Sequence, residues 1–97
     1  MDDIRKRAYR YLLYHALLEI RSIESATTSS EVRKAAVIAN WLHNLAIHSA
    51  HEFVGFDEEN FWRQYDTLNE RNPDLRLPEF KWVFENVLAG KIGLHGQ

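Results

Sequence analysis

The sequence predicts an all-α fold, a compact antiparallel four-helix bundle with a short C-terminal tail. Three observations lead there. In 97 residues there are only two Pro and four Gly, too few for the turns of an all-β domain. Apolar residues make up 45% of the chain and recur at helical spacing in long stretches. Capping residues punctuate those stretches at intervals that leave only short connections, which favour an up-down arrangement. One domain covers 1–97, with helices expected at about 3–25, 31–52, 57–71 and 78–89.

The first helix opens on Asp2 and Asp3, whose charge suits a helix N-terminus. Tyr9, Leu12, Leu13, Ala16, Leu17, Ile20 and Ile23 form its expected core stripe, with Arg5, Lys6, Arg10, Arg21 and Glu24 opposite. Ala26 to Ser30 is a polar break. Thr28 followed by Glu31 fits a capping box for the second helix, with Ser30 as the competing cap. That helix is expected to bury Val32, Ala35, Ile38, Ala39, Leu42, Leu45, Ala46, Ser49 and Phe53, its alanines letting neighbours come close at the centre of the bundle.

Asp57 caps the third helix, with Glu58 and Glu59 placed by the helix dipole. Phe61, Tyr65 and Leu68 are its core side, Trp62 lies at the edge, and Asn72-Pro73 ends it. Pro78 fits the first position of the fourth helix, Phe80, Val83, Phe84, Val87 and Leu88 its core side, and Gly90 a left-handed C-cap. The tail from Lys91 to Gln97 is too rich in glycine to continue it, although Ile92 and Leu94 can tuck against the bundle.

The net charge of −2 argues against nucleic acid as a partner. The charge is uneven: Met1 to Lys34 carries seven basic and five acidic side chains, Ala35 to Gln97 five and nine. A basic protein partner or head-to-tail self-association suits that asymmetry. With no cysteine, disulfides and thiolate zinc sites are excluded. Arg10, His15 and Glu19 interrupt any secretory h-region, and no apolar run spans a membrane, so a cytoplasmic protein is expected.

The most unusual feature is the polar side of the second helix. Arg33, Asn40, His43, Asn44, His48 and His51 share one arc, and from Ala35 to His51 there is no charged residue other than histidine. A solvated helix face ordinarily carries Lys, Glu or Arg, which favour the helix more than Asn or His. This face therefore either packs with its hydrogen bonds satisfied or serves as a binding surface, with Asn40, Trp41, His43, Asn44, His48 and His51 as the candidate residues. Trp41 and Trp82 sit at borders of apolar stripes, where amphipathic rings serve as interface anchors or as caps of the bundle.

No catalytic constellation emerges: the serines are explained by capping, and there is no nucleophile elbow or phosphate loop. For a metal, His48 stands three residues from His51 and four from Glu52, but no Glu-x-x-His pattern occurs, so no metal or cofactor is expected. Arg10 and His15 have the Arg-x(4–6)-His spacing of HEPN ribonuclease domains. That resemblance implies Arg10 on phosphate charge and His15 as acid or base, although the motif lies in the first helix and no polar residue follows the Arg. Leu42-His43-Asn44-Leu45 resembles a helix segment of small uncharacterised bacterial helical proteins, in which a Pro often stands where this chain has Ala46; it implies a recurring His–Asn pair.

The function expected is a non-enzymatic protein-binding or regulatory domain, as a homo-oligomer or a toxin-neutralising immunity or antitoxin protein. The alternative is a small ribonuclease or metal-binding enzyme using His15, His43, His48 or His51.

Overall fold

The computed structural model describes residues 1–23 and 28–91. It is all-helical, with α1 (Asp3–Ile23), α2 (Ser29–Ala50), α3 (Glu58–Arg71), a 3-10 turn at Pro73–Leu75 and α4 (Phe80–Leu88). The expected end of the first helix at Ser25 and the packing of Ile92 and Leu94 fall outside the described residues. Among the described residues no helix is long and apolar enough to cross a membrane.

Side-chain contacts establish the up-down-up-down order. Arg10 near the start of α1 reaches Glu52 just beyond α2, so these two helices run antiparallel. Arg5 and Tyr9 meet Glu58 and Trp62, so α1 and α3 run in the same sense. Phe84 packs on Tyr9 while Phe80 packs on His15, so α4 runs against α1. Packing of this kind buries one stripe of each helix against the others.

The core is dominated by aromatic rings. Tyr9, Phe61 and Phe80 are fully buried, and Tyr9 packs edge-on against Phe56 and Phe61 with Phe84 at 4.3 Å between ring centroids. Burying such rings contributes most of the stabilisation available to a domain of this size. Their polar atoms are satisfied. Trp41 Nε1 donates to the Phe61 carbonyl at 3.0 Å, and Trp62 Nε1 donates to Tyr9 Oη at 3.1 Å. Tyr9 in turn donates to Glu58 Oε1 at 2.8 Å, the same oxygen that accepts from Arg5 at 2.6 Å. Arg5 and Glu58 thus join α1 to α3, a role beyond the solvated charge and the dipole partner expected of them.

The caps follow the sequence at three ends. Thr28 Oγ1 accepts from the Glu31 amide, which excludes Ser30 as the cap, and Asp57 Oδ1 accepts from Asn60. Gly90, at φ 75°, closes α4 as its amide donates to the Val87 carbonyl and that of Lys91 to Asn86. Pro78 does not begin α4. Its carbonyl accepts from Tyr65 Oη, and the same hydroxyl accepts from the Phe80 amide, so α3 caps α4 and the helix starts at Phe80.

The end of α2 is built without glycine. The amides of Glu52 and Phe53 donate back to Ser49 and His48, with both residues left-handed at φ 56° and 63°. Such backbone costs a non-glycine residue about 1–2 kcal/mol. It is held because Phe53 is buried against Tyr9 and Glu52 meets Arg10 at 2.6 Å.

The core stripe of α2 is a correction to expectation. Ile38, Trp41, Leu42 and Leu45 are buried, whereas Val32, Ala39 and Ala46 are exposed. The helix is rotated so that the indole of Trp41 packs inside, stacked on Phe61 at 4.4 Å. One buried indole removes more apolar surface from water than two alanines, so the ring decides the rotation. Leu17 of α1 is likewise 52% exposed. The centre of the bundle therefore lies beneath α2, not along it.

Burial pushes the Tyr9 and Tyr65 phenols above their ordinary value, and for Tyr9 the adjacent Glu58 adds to the rise. A phenol held protonated by the fold contributes stability that is full below its unfolded pKa of about 10 and is lost as pH rises toward the folded value. Urea unfolding should show stability falling above about pH 10, with a shallower fall in Tyr9→Phe. The same variant should lose about 1–3 kcal/mol at pH 7, because Trp62 loses its acceptor and Glu58 a donor. Glu52→Gly should be as stable as wild type or more so, since it relieves the left-handed strain. Glu52→Ala keeps that strain, loses the surface ion pair and should be the less stable of the two.

Candidate binding surface on helix α2

The outward side of α2 is a strip of small, uncharged residues. Val32, Ala36, Ala39, His43, Ala46 and Ala50 are separated by alternating steps of four and three, the spacing that keeps side chains along one seam of a helix. All six are exposed, Val32 to 58%, and Ile47 extends the strip at 44%. Reading the alanines as core residues hid this surface in the sequence. The signal that reveals it is the missing charge between Ala35 and His51 taken together with the burial of Trp41.

The six residues expected to form a binding surface divide by position. His43 lies in the strip, and Asn40 and His51 are exposed along its margin. Asn44 and His48 are half-buried on the shoulder toward α3. His48 Nδ1 donates to the Asn44 carbonyl at 2.8 Å, which leaves Nε2 as the acceptor of the neutral ring. The His48 ring also lies 5.4 Å from that of Phe56. Among the described residues, the side-chain amides of Asn40 and Asn44 make no hydrogen bond, and no buried side-chain polar atom lacks a partner. The face is thus mixed: Arg33 pairs with Asp74 at 2.6 Å and His48 bonds within its own helix, while the amides of Asn40 and Asn44 are not engaged among the described residues.

Trp41 departs from the border position. It is 4% exposed, with Phe61, Tyr65 and Phe80 around its ring, and works as a core anchor. Only its edge reaches the surface, in a groove of about 340 Å³ between α2 and α3 that Asn40 and Leu68 also line. A second, shallower depression at the other end of α2 is formed by Ile47, His48, His51, Glu52 and Val54. Trp82 on α4 is the exposed tryptophan, at 58%.

The geometry also bears on the enzymatic alternatives. Arg10 is engaged by Glu52 and lies 5.4 Å above the Phe53 ring, at the end of α2. This guanidinium holds the Glu52 carboxyl below its ordinary pKa, mainly through their hydrogen bond. His15 packs against Tyr11 and Phe80, toward α4. The two ends of the Arg-x(4–6)-His spacing therefore face different elements. Among the described residues, no group of three or more His, Asp or Glu side chains converges in a way that would hold a metal ion. His48, His51 and Glu52 share the depression, but the Glu52 carboxylate is turned to Arg10.

Comparison with known protein families, with characterised proteins and with solved structures finds nothing that this chain matches. The functional reading therefore rests on the surface itself.

Proposed function

We propose that this protein is a non-enzymatic protein-binding module whose docking face is the outward side of α2. The observation that carries this reading is the exposed, charge-free seam from Val32 to Ala50. Small side chains on such a seam let a partner helix approach closely, so backbone-to-backbone contact replaces long side chains. No desolvation of Lys or Glu opposes docking there, which favours association over a wet surface.

A strip one helix wide is short of a full interface. The 22 residues of α2 span about 33 Å, which at a helix diameter of about 10 Å gives roughly 300 Å², against about 800 Å² per partner in a standard complex. The neighbouring surface of α1 extends it. Leu17 lies on the same arc of α1 as Lys6 and Arg10, which face the end of α2, and Tyr14 stands one turn before Leu18 on the outer side. Tyr14 and Leu17 are 63% and 52% exposed and supply the large apolar groups that the alanine seam lacks. The partner this face suits is a helix or helical pair, from a second copy or from another protein. Toxin neutralisation is one role that such a module would serve, in a cytoplasmic setting.

Ala39→Glu and Ala46→Glu place a charge in the middle of the seam. Light scattering across a concentration series, with purification from native lysate, should show wild type self-associating or retaining a helical partner, and both variants losing at least tenfold in affinity. His43→Ala should change folding stability by no more than about 0.5 kcal/mol, as for other exposed positions. A wild-type protein that stays monomeric at every concentration and retains no partner would overturn the reading.

A further inference from the structure

The groove between α2 and α3 is chemically unlike the seam beside it. Its floor is apolar, made by the edge of Trp41 and by Leu68. Its rim is made only of groups that can donate hydrogen bonds: Asn40 from α2, and Arg63, Gln64, Thr67 and Arg71 from α3. No Asp or Glu lines it, although the chain as a whole is acidic. The placement follows from the helical period of α3, where Gln64, Thr67 and Arg71 recur on the side turned to α2. Glu59, Asp66 and Glu70 fall on the exposed side.

Local structural roles account for part of this rim. Arg63 meets Glu59 at 2.8 Å on the surface of α3, and Thr67 Oγ1 donates to the Arg63 carbonyl at 3.0 Å. Arg71 stands in the last turn of α3, where a cation complements the helix dipole. Those roles leave the amides unexplained. Among the described residues, the side chains of Asn40 and Gln64 make no hydrogen bond and Arg71 makes no ion pair, yet all three line one concavity. Amide donors and a guanidinium lining one concavity match the lone pairs of a carboxylate, which Arg binds in a bidentate fork. At about 340 Å³ the groove is at the lower end of the volumes that hold small ligands.

We propose that this groove binds an organic carboxylate carried on an apolar body, with Arg71, Gln64 and Asn40 holding the anion and Trp41 and Leu68 receiving the apolar part. The carboxylate is either that of a free small acid or the C-terminus of a peptide, since both present the same chemistry. The site borders the α2 seam at Asn40 but uses neither Ala39 nor Ala46, so it stands whether or not that seam docks a partner.

The test is a titration of the full-length protein followed by NMR at the Trp41 indole N–H and the Asn40 and Gln64 side-chain amides. The probes are phenylbutyrate, its uncharged analogue phenylbutanol, and a Gly-Gly-Phe peptide with a free or an amidated C-terminus. Saturable shifts at these groups with phenylbutyrate or the free-acid peptide, at least tenfold weaker with phenylbutanol or the amide, are expected; which probe binds more tightly identifies the source. Arg71→Gln should weaken binding about tenfold while its thermal unfolding midpoint falls by only the small amount that losing a helix-end cation costs. Arg76→Gln, an exposed cation outside the groove, should leave binding unchanged. The proposal is overturned if no probe gives saturable shifts, if the charged and uncharged probes bind alike, or if Arg71→Gln binds within twofold of wild type.

Discussion

Everything in this bundle is arranged around the side chain of Tyr9. Its ring is fully buried and touches Phe53, Phe56, Phe61, Trp62 and Phe84, so it meets α3, α4 and the loop that follows α2. A ring that large cannot be buried unless its hydroxyl has partners. Trp62 supplies a donor and Glu58 an acceptor, and Arg5 neutralises the carboxylate that would otherwise be half-buried alone. The hydrogen bond to Glu58 is also the main cause that raises the Arg5 guanidinium above its ordinary pKa. The height of α3 against α1 is set by these bonds, because apolar packing is non-directional and would tolerate a slide.

The consequences reach the surface. With α3 held against α1, the Phe61 carbonyl and ring stand where Trp41 can both stack and donate. Satisfying that indole turns α2, and turning α2 brings its alanines and His43 outward. The loop after α2 then has to return Phe53 to Tyr9 at once, through left-handed Glu52 and Phe53 ahead of the left-handed Gly55. Core and candidate binding surface are thus two sides of one rotation, decided by which of two apolar sets on α2 is buried.

Much of the bundle was legible in the residues. Four helices with short connections, the caps at Thr28 and Asp57, the core side of α4 and the closing Gly90 all depend on near neighbours in the chain, where propensity and spacing act. The uncharged stretch of α2 was legible as an anomaly too. The start of α4 was not, because the hydroxyl that caps Phe80 comes from Tyr65 on another helix. Nor was the pairing of Arg5 with Glu58, since residues 53 positions apart carry no pattern that links them.

The sequence by itself determined that the chain is helical, where its helices run to within a residue or two at the described ends, and that α2 from Ala35 onward carries no Lys, Arg, Asp or Glu. These are properties of local segments, governed by capping, helix propensity and apolar period. The tertiary structure alone decided which side of α2 faces water. Its apolar arc is wide enough to be buried on either margin, with alanines on one and Trp41 on the other. Local pattern weighs the two margins almost equally, and only the partners that Phe61 and Tyr65 offer to an indole make one of them lower in free energy.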